Sequence, residues 1–120
     1  MNITKNRGIK YAQYVLENVS DYYTDNNDIR MSVETFYNCR EQGYVLEVRS
    51  EKDYSKNICI WVYAQRNSDE PTITWEDAMI PTENANMFTE ESYEERTKTF
   101  SSVDEASREV INGIKEYFEL

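Results

Sequence analysis

Four glutamates, Glu90, Glu91, Glu94 and Glu95, form the densest group of side chains in this chain that could do chemistry. If the stretch were helical they would crowd one face, where two carboxylates can hold a hard cation or divide the roles of acid and base. The chain carries 23 Asp and Glu in 120 residues, however, so acids that meet by spacing alone are common in it, and a solvated acidic surface is the better reading. Asp25-Asn26-Asn27-Asp28 looks like the opening of a calcium loop, but the glycine and the distal bidentate glutamate such a loop needs are missing at the right spacing. It reads as a turn. The two cysteines, Cys39 and Cys59, fall in strand-like segments and read as reduced, half-buried thiols of a cytoplasmic protein.

Missing residue types exclude more. The sequence has no histidine, which removes the Ser-His-Asp triad, the Cys–His pair and every histidine-containing zinc site. Two separated cysteines cannot build a four-thiolate metal centre within one chain. Gly8, Gly43 and Gly113 are too far apart for a phosphate loop or a dinucleotide fingerprint. No metal and no cofactor is expected, and no catalytic residue is assigned.

The elements that position these side chains follow from periodicity. Ile9, Ala12, Val15, Leu16, Val19, Tyr22 and Tyr23 recur at three- and four-residue steps, which predicts an opening helix with Thr4 as its cap. Ile29 to Cys39 and Tyr44 to Ser50 alternate with a period of two, joined by a short hairpin at Arg40-Glu41-Gln42-Gly43 in which Gly43 is free to take positive φ. Asn57 to Arg66 is apolar on both faces and belongs in the middle of a sheet. Pro71 to Glu76 predicts a short edge strand, Asp77 to Ser92 a loop with a helical turn, and Tyr93 to Ser101 a fifth, exposed strand. Ser102 and Glu105 fit a capping box opening a last helix, whose apolar stripe is Val103, Ala106, Val110, Ile114, Tyr117 and Phe118. The expectation is a single domain over residues 1–120 of the α+β class: an antiparallel sheet of about five strands with both terminal helices on one face, in the order α-β-β-β-β-β-α. A chain of this length buries roughly 65% of its unfolded surface, enough for one core.

Charge is distributed unevenly. Met1 to Arg66 holds nine acids and nine bases; Asn67 to Leu120 holds fourteen acids and four bases, which accounts for the whole net charge of −10. Asn67 to Glu95 contains Asp69, Glu70, Glu76, Asp77, Glu83, Glu90, Glu91, Glu94 and Glu95 and no base. Such a concentration weakens the fold slightly by self-repulsion while attracting a basic partner and speeding the encounter. Direct binding of DNA or RNA is disfavoured, because the chain repels phosphate and Lys5, Arg7 and Lys10 are too few to form a basic stripe. A row of carboxylates can instead occupy a basic groove made for phosphates. Met79, Phe88 and Tyr93 lie among the acids as candidate apolar anchors, while Trp75 reads as core. No apolar run is long enough for a signal peptide or a membrane span, so no membrane partner is expected.

In size, acidity and element order the chain resembles small phage-encoded anti-defence proteins: the anti-CRISPR inhibitors and the short proteins that silence bacterial NAD-depleting defence enzymes, including defence-associated sirtuins. The resemblance covers the whole chain and assigns no role to any one residue. It implies a non-enzymatic inhibitor acting in the bacterial host cytoplasm by stoichiometric occlusion of a larger protein with a basic surface. The alternative is a small acidic homodimeric chaperone or adaptor that binds an extended peptide along a sheet edge.

Overall fold

A computed structural model describes residues 7–37, 41–65, 68–76 and 97–120. The elements are α1 (Arg7–Tyr22), β1 (Ile29–Tyr37), β2 (Glu41–Ser50), β3 (Asn57–Gln65), β4 (Thr72–Glu76), β5 (Thr97–Thr99) and α2 (Val103–Phe118). The five strands form one antiparallel sheet whose spatial order is the chain order, β1-β2-β3-β4-β5. This is the α+β architecture expected, with one helix before the sheet and one after it.

The core is a layer between sheet and helices. Strand alternation sends Leu46 and Val48 of β2, Ile58, Ile60, Val62 and Ala64 of β3, and Ile73 of β4 to one face, where all are buried. Ala12, Val15, Leu16 and Val19 of α1 meet them from above, as do Ala106, Val110 and Ile114 of α2. Burying each large aliphatic side chain here contributes about 1.5–3 kcal/mol. Helix α1 lies over β2 and β3 and against α2, and α2 also reaches β4. The helices are tied together by polar contacts: Asn18 Nδ2 donates to Ser107 Oγ at 3.0 Å, and the Tyr23 hydroxyl donates to the Ile111 carbonyl at 2.6 Å.

Several local expectations are corrected. Gly43 lies inside β2, opposite Tyr63, and none of the described glycines has positive φ. Its value is the missing side chain: a Cβ there would run into the Val62 carbonyl and the Tyr63 backbone of β3. Strand β4 is interior, because β5 pairs with it (Thr72 with Thr99, Thr74 with Thr97); β5 is the edge, and only three residues long. Pro71 immediately precedes β4, and its carbonyl accepts from Phe100 N–H at 2.9 Å. Tyr22 leaves the apolar stripe and is 52% exposed, its hydroxyl accepting from Lys115 Nζ at 2.6 Å. Ser102 caps α2 through Glu105 N–H at 3.1 Å, but the Glu105 carboxylate accepts from the Ser101 hydroxyl and does not complete the capping box. At the other end α2 closes as a Schellman turn: Glu119 adopts φ 57°, ψ 45°, and Leu120 N–H donates to the Lys115 carbonyl.

Thr4, Cys39 and the segment from Asp77 to Arg96 lie outside the described residues. Cys59 is half-buried in β3. Asp25 to Asp28 is a turn, as expected, with Asn26 Oδ1 accepting from Asp28 N–H at 2.9 Å. Among the described residues no helix is long and apolar enough to cross a membrane.

Candidate functional site

Chain neighbours are sheet neighbours, so the two halves of the sequence lie side by side; their described residues hold nine acids and six bases up to Gln65, and eight acids and three bases from Ser68. The charge-neutral part, up to Arg66, contributes α1, β1, β2 and β3. The acidic part contributes β4, β5 and α2, which together make one flank of the molecule. On that flank Asp104, Glu105, Glu109 and Glu116 of α2 are all exposed, as are Asp69, Glu70 and Glu76.

The acids singled out from the sequence divide as follows. Asp69 and Glu70 precede β4 and Glu76 ends it, so the whole strand, roughly 13 Å from Thr72 to Glu76 at about 3.3 Å per residue, lies between them. Glu70 borders an open depression of about 500 Å³ shared with Lys98, Glu105, Arg108 and Glu109, where acids outnumber bases. Asp69 faces the start of α2, beside Tyr11, Ser102 and Asp104. Asp77, Glu83, Glu90, Glu91, Glu94 and Glu95 lie outside the described residues, as do the proposed anchors Met79, Phe88 and Tyr93. Their points of attachment are described: Glu76 and Thr97 are carried by paired strands, with Thr74 opposite Thr97, so the connection begins and ends at the same margin of the sheet.

At that margin lies a feature the sequence reading missed. The sheet face turned away from the helices carries Cys59, Trp61 and Tyr63 of β3, Thr72 and Thr74 of β4, and Thr97 and Thr99 of β5, in register. Trp61 Nε1 donates to the Glu76 carboxylate at 3.2 Å. The Tyr63 hydroxyl and Thr74 Oγ1 are 3.1 Å apart, Thr74 and Thr97 hydroxyls 3.0 Å, and Thr72 and Thr99 hydroxyls 2.8 Å. Thr74 is only 1% exposed, although it lies on the face opposite the helices. The two runs Thr72-Ile73-Thr74 and Thr97-Lys98-Thr99 were the available signal, since alternate threonines on neighbouring strands bring their hydroxyls together.

Among the described residues three ionisations are perturbed, none of them on β4 or β5. Burial, with the neighbouring Tyr22 second, pushes the Tyr23 phenol up to about 12. Burial, then the Glu17 carboxylate, raises Tyr44. The Ser55 hydroxyl and then its N–H hold the Asp53 carboxyl below the usual range. None of the three faces a second titratable group in an enclosed cavity, the arrangement that would indicate acid–base work. Among the described residues no group of three or more Cys, Asp or Glu side chains is placed to hold a metal ion.

Comparison with family models, curated proteins and solved structures finds no match to this chain.

Proposed function

We propose that this protein is a non-enzymatic inhibitor that binds a larger protein with a basic surface and occludes it in a stoichiometric complex, as the phage-encoded anti-defence proteins it resembles do. The observation that supports this reading is the segregation of charge. The sequence up to Arg66, which forms α1, β1, β2 and β3, has no net charge, and the sequence from Asn67, which supplies β4, β5 and α2, carries the whole net charge of −10. The acid-rich connection from Glu76 to Thr97 is anchored to the sheet at both ends on that flank. Concentrated carboxylates on one side raise the rate of encounter with a basic partner and orient it, whereas the same acids spread evenly would do neither. Trp61, held by Glu76, places an aromatic side chain at the base of the same region. The site of action is the bacterial host cytoplasm, and the complex needs no cofactor.

The test uses the tagged protein as bait in a bacterial lysate at low and at raised salt, beside a variant with Glu90, Glu91, Glu94 and Glu95 changed to Lys. The expected result is a basic protein retained by the wild type, released as salt rises, and not retained by the variant. Retention of the same protein by both baits at all salt concentrations would overturn the reading.

A further inference from the structure

The two edges of the sheet are unlike. Strand β5 is three residues long and carries Lys98, both of which discourage pairing with another chain. Strand β1 is nine residues long, Ile29–Tyr37, with no proline, no lysine and an unbroken register against β2. Helix α1 covers β2 and β3. It leaves the helix-side face of β1 as one wall of an open groove of about 330 Å³, where Met31 and Val33 face Leu16 and Glu17. Val33 is 50% exposed.

The hydrogen-bond parity of β1 can be read from its entry. Glu51 N–H donates to the Asp28 carbonyl at 2.8 Å, in the register that continues through Ile29–Ser50. In an antiparallel ladder the bonding residues alternate, so Arg30, Ser32 and Glu34 turn their backbone groups toward β2. Ile29, Met31, Val33 and Thr35 therefore turn theirs outward.

We infer that β1 joins a second copy of this chain, antiparallel and about a two-fold axis at Ser32, to make a continuous ten-stranded sheet. That register satisfies the outward groups in both directions, Met31 with Val33 of the other copy and Ile29 with Thr35. On the face away from the helices it sets Arg30 opposite Glu34 of the other copy, twice, with the two Ser32 hydroxyls between them. These are the non-hydrogen-bonded positions, where side chains stand closest. Arg30 Nε is held by Glu51 at 2.7 Å, which leaves the outer guanidinium nitrogens to meet Glu34. Sliding the pairing by two residues sets Glu34 against Asp28 or against Ser32, and both charge pairs are lost. A two-fold axis normal to the sheet keeps both helix layers on one side, so the grooves merge over paired Met31 and Val33. In that dimer the two β4 strands, each ending in Glu76, are roughly 34 Å apart at about 4.8 Å per strand, well beyond the screening length in physiological salt.

This inference is independent of the acidic flank, and its test is separate. Sedimentation equilibrium should show a dimer for the wild type. Val33→Pro removes an outward N–H and no β1–β2 bond, so it should give a monomer with an unchanged circular dichroism spectrum. Glu34→Arg should weaken the dimer by about tenfold, since two cross-strand pairs turn repulsive, and adding Arg30→Glu should restore it. A wild-type chain that stays monomeric, or that stays monomeric and takes up an extended peptide along β1, would overturn the inference. So would a dimer insensitive to both Val33→Pro and the charge exchange.

Discussion

The indole of Trp75 packs directly on Gly113, so closely that a Cβ at that position would overlap the ring. Gly113 is interior to α2, where glycine costs about 1 kcal/mol relative to alanine. Here the intrinsic cost is offset by the approach it permits, because β4 and α2 close on each other through this contact. Gly113→Ala should therefore destabilise the fold by about 1 kcal/mol in spite of the gain in helix propensity. With Trp75→Leu already in place, the same change should become neutral or stabilising. Urea unfolding of the four proteins in the cycle reads the coupling, and equal effects of Gly113→Ala in both backgrounds would show that the ring can simply move aside.

Tyr23 gives a pH signature. Its phenol is raised to about 12 from 10.0 by burial first and Tyr22 second, so the folded state holds that proton more tightly than the unfolded chain does. The contribution is fully present below pH 10 and is lost as pH rises from 10 through 12. Tyr44 is raised in the same direction and adds to the slope. Tyr23→Phe should flatten part of the alkaline fall in stability, and at neutral pH should cost about 1 kcal/mol through loss of the hydrogen bond to Ile111. Denaturation midpoints between pH 8 and pH 12 measure both effects.

Glu119 closes α2 in the left-handed region, where a side chain is unfavourable. Its carboxylate also meets Lys56 Nζ at 3.3 Å, but as an exposed pair worth little. Glu119→Gly should be more stable than Glu119→Ala by about 1 kcal/mol, since both lose the ion pair and only glycine relieves the backbone. Thermal melts of the two variants decide this; equal midpoints would contradict it.

Thr74 joins two hydroxyls while 1% exposed. Thr74→Val keeps the shape and removes the shared oxygen, leaving both Tyr63 and Thr97 short of one bond. A loss of about 1–2 kcal/mol is expected, and more than Thr72→Val costs, because the Thr72–Thr99 pair is exposed. Chemical denaturation of the two variants tests the ordering.

Much of the fold was legible because periodicity is a local property. Val15, Leu16 and Val19 had to lie on one helical face, and Ile58, Ile60 and Val62 on one strand face, whatever else the chain did. What escaped depended on partners distant in sequence. Gly43 has the composition of a turn residue, and only the approach of Tyr63 from β3 gives it a place inside a strand. Strand β4 looked like an edge because its partner β5 is three residues long and polar. Tyr22 matched the apolar stripe of α1 but sits at its end, where Lys115 of α2 holds it outward. The site was legible only as composition. The sequence shows where the acids concentrate, but the pairing of β4 with β5, the strands on either side of the acidic connection, follows from the strand order, and the threonine and aromatic face around Glu76 follows from a register that spacing alone does not specify.

Hydrogen exchange of the captured complex tests the proposed function most directly, by comparing amide protection in the free and bound protein. Binding through the acidic side predicts new protection in β4, β5, α2 and the connection from Glu76 to Thr97, with the rest of the chain little changed. New protection confined to α1, β1 and β2, with the acidic flank exchanging as it does in the free protein, would contradict it.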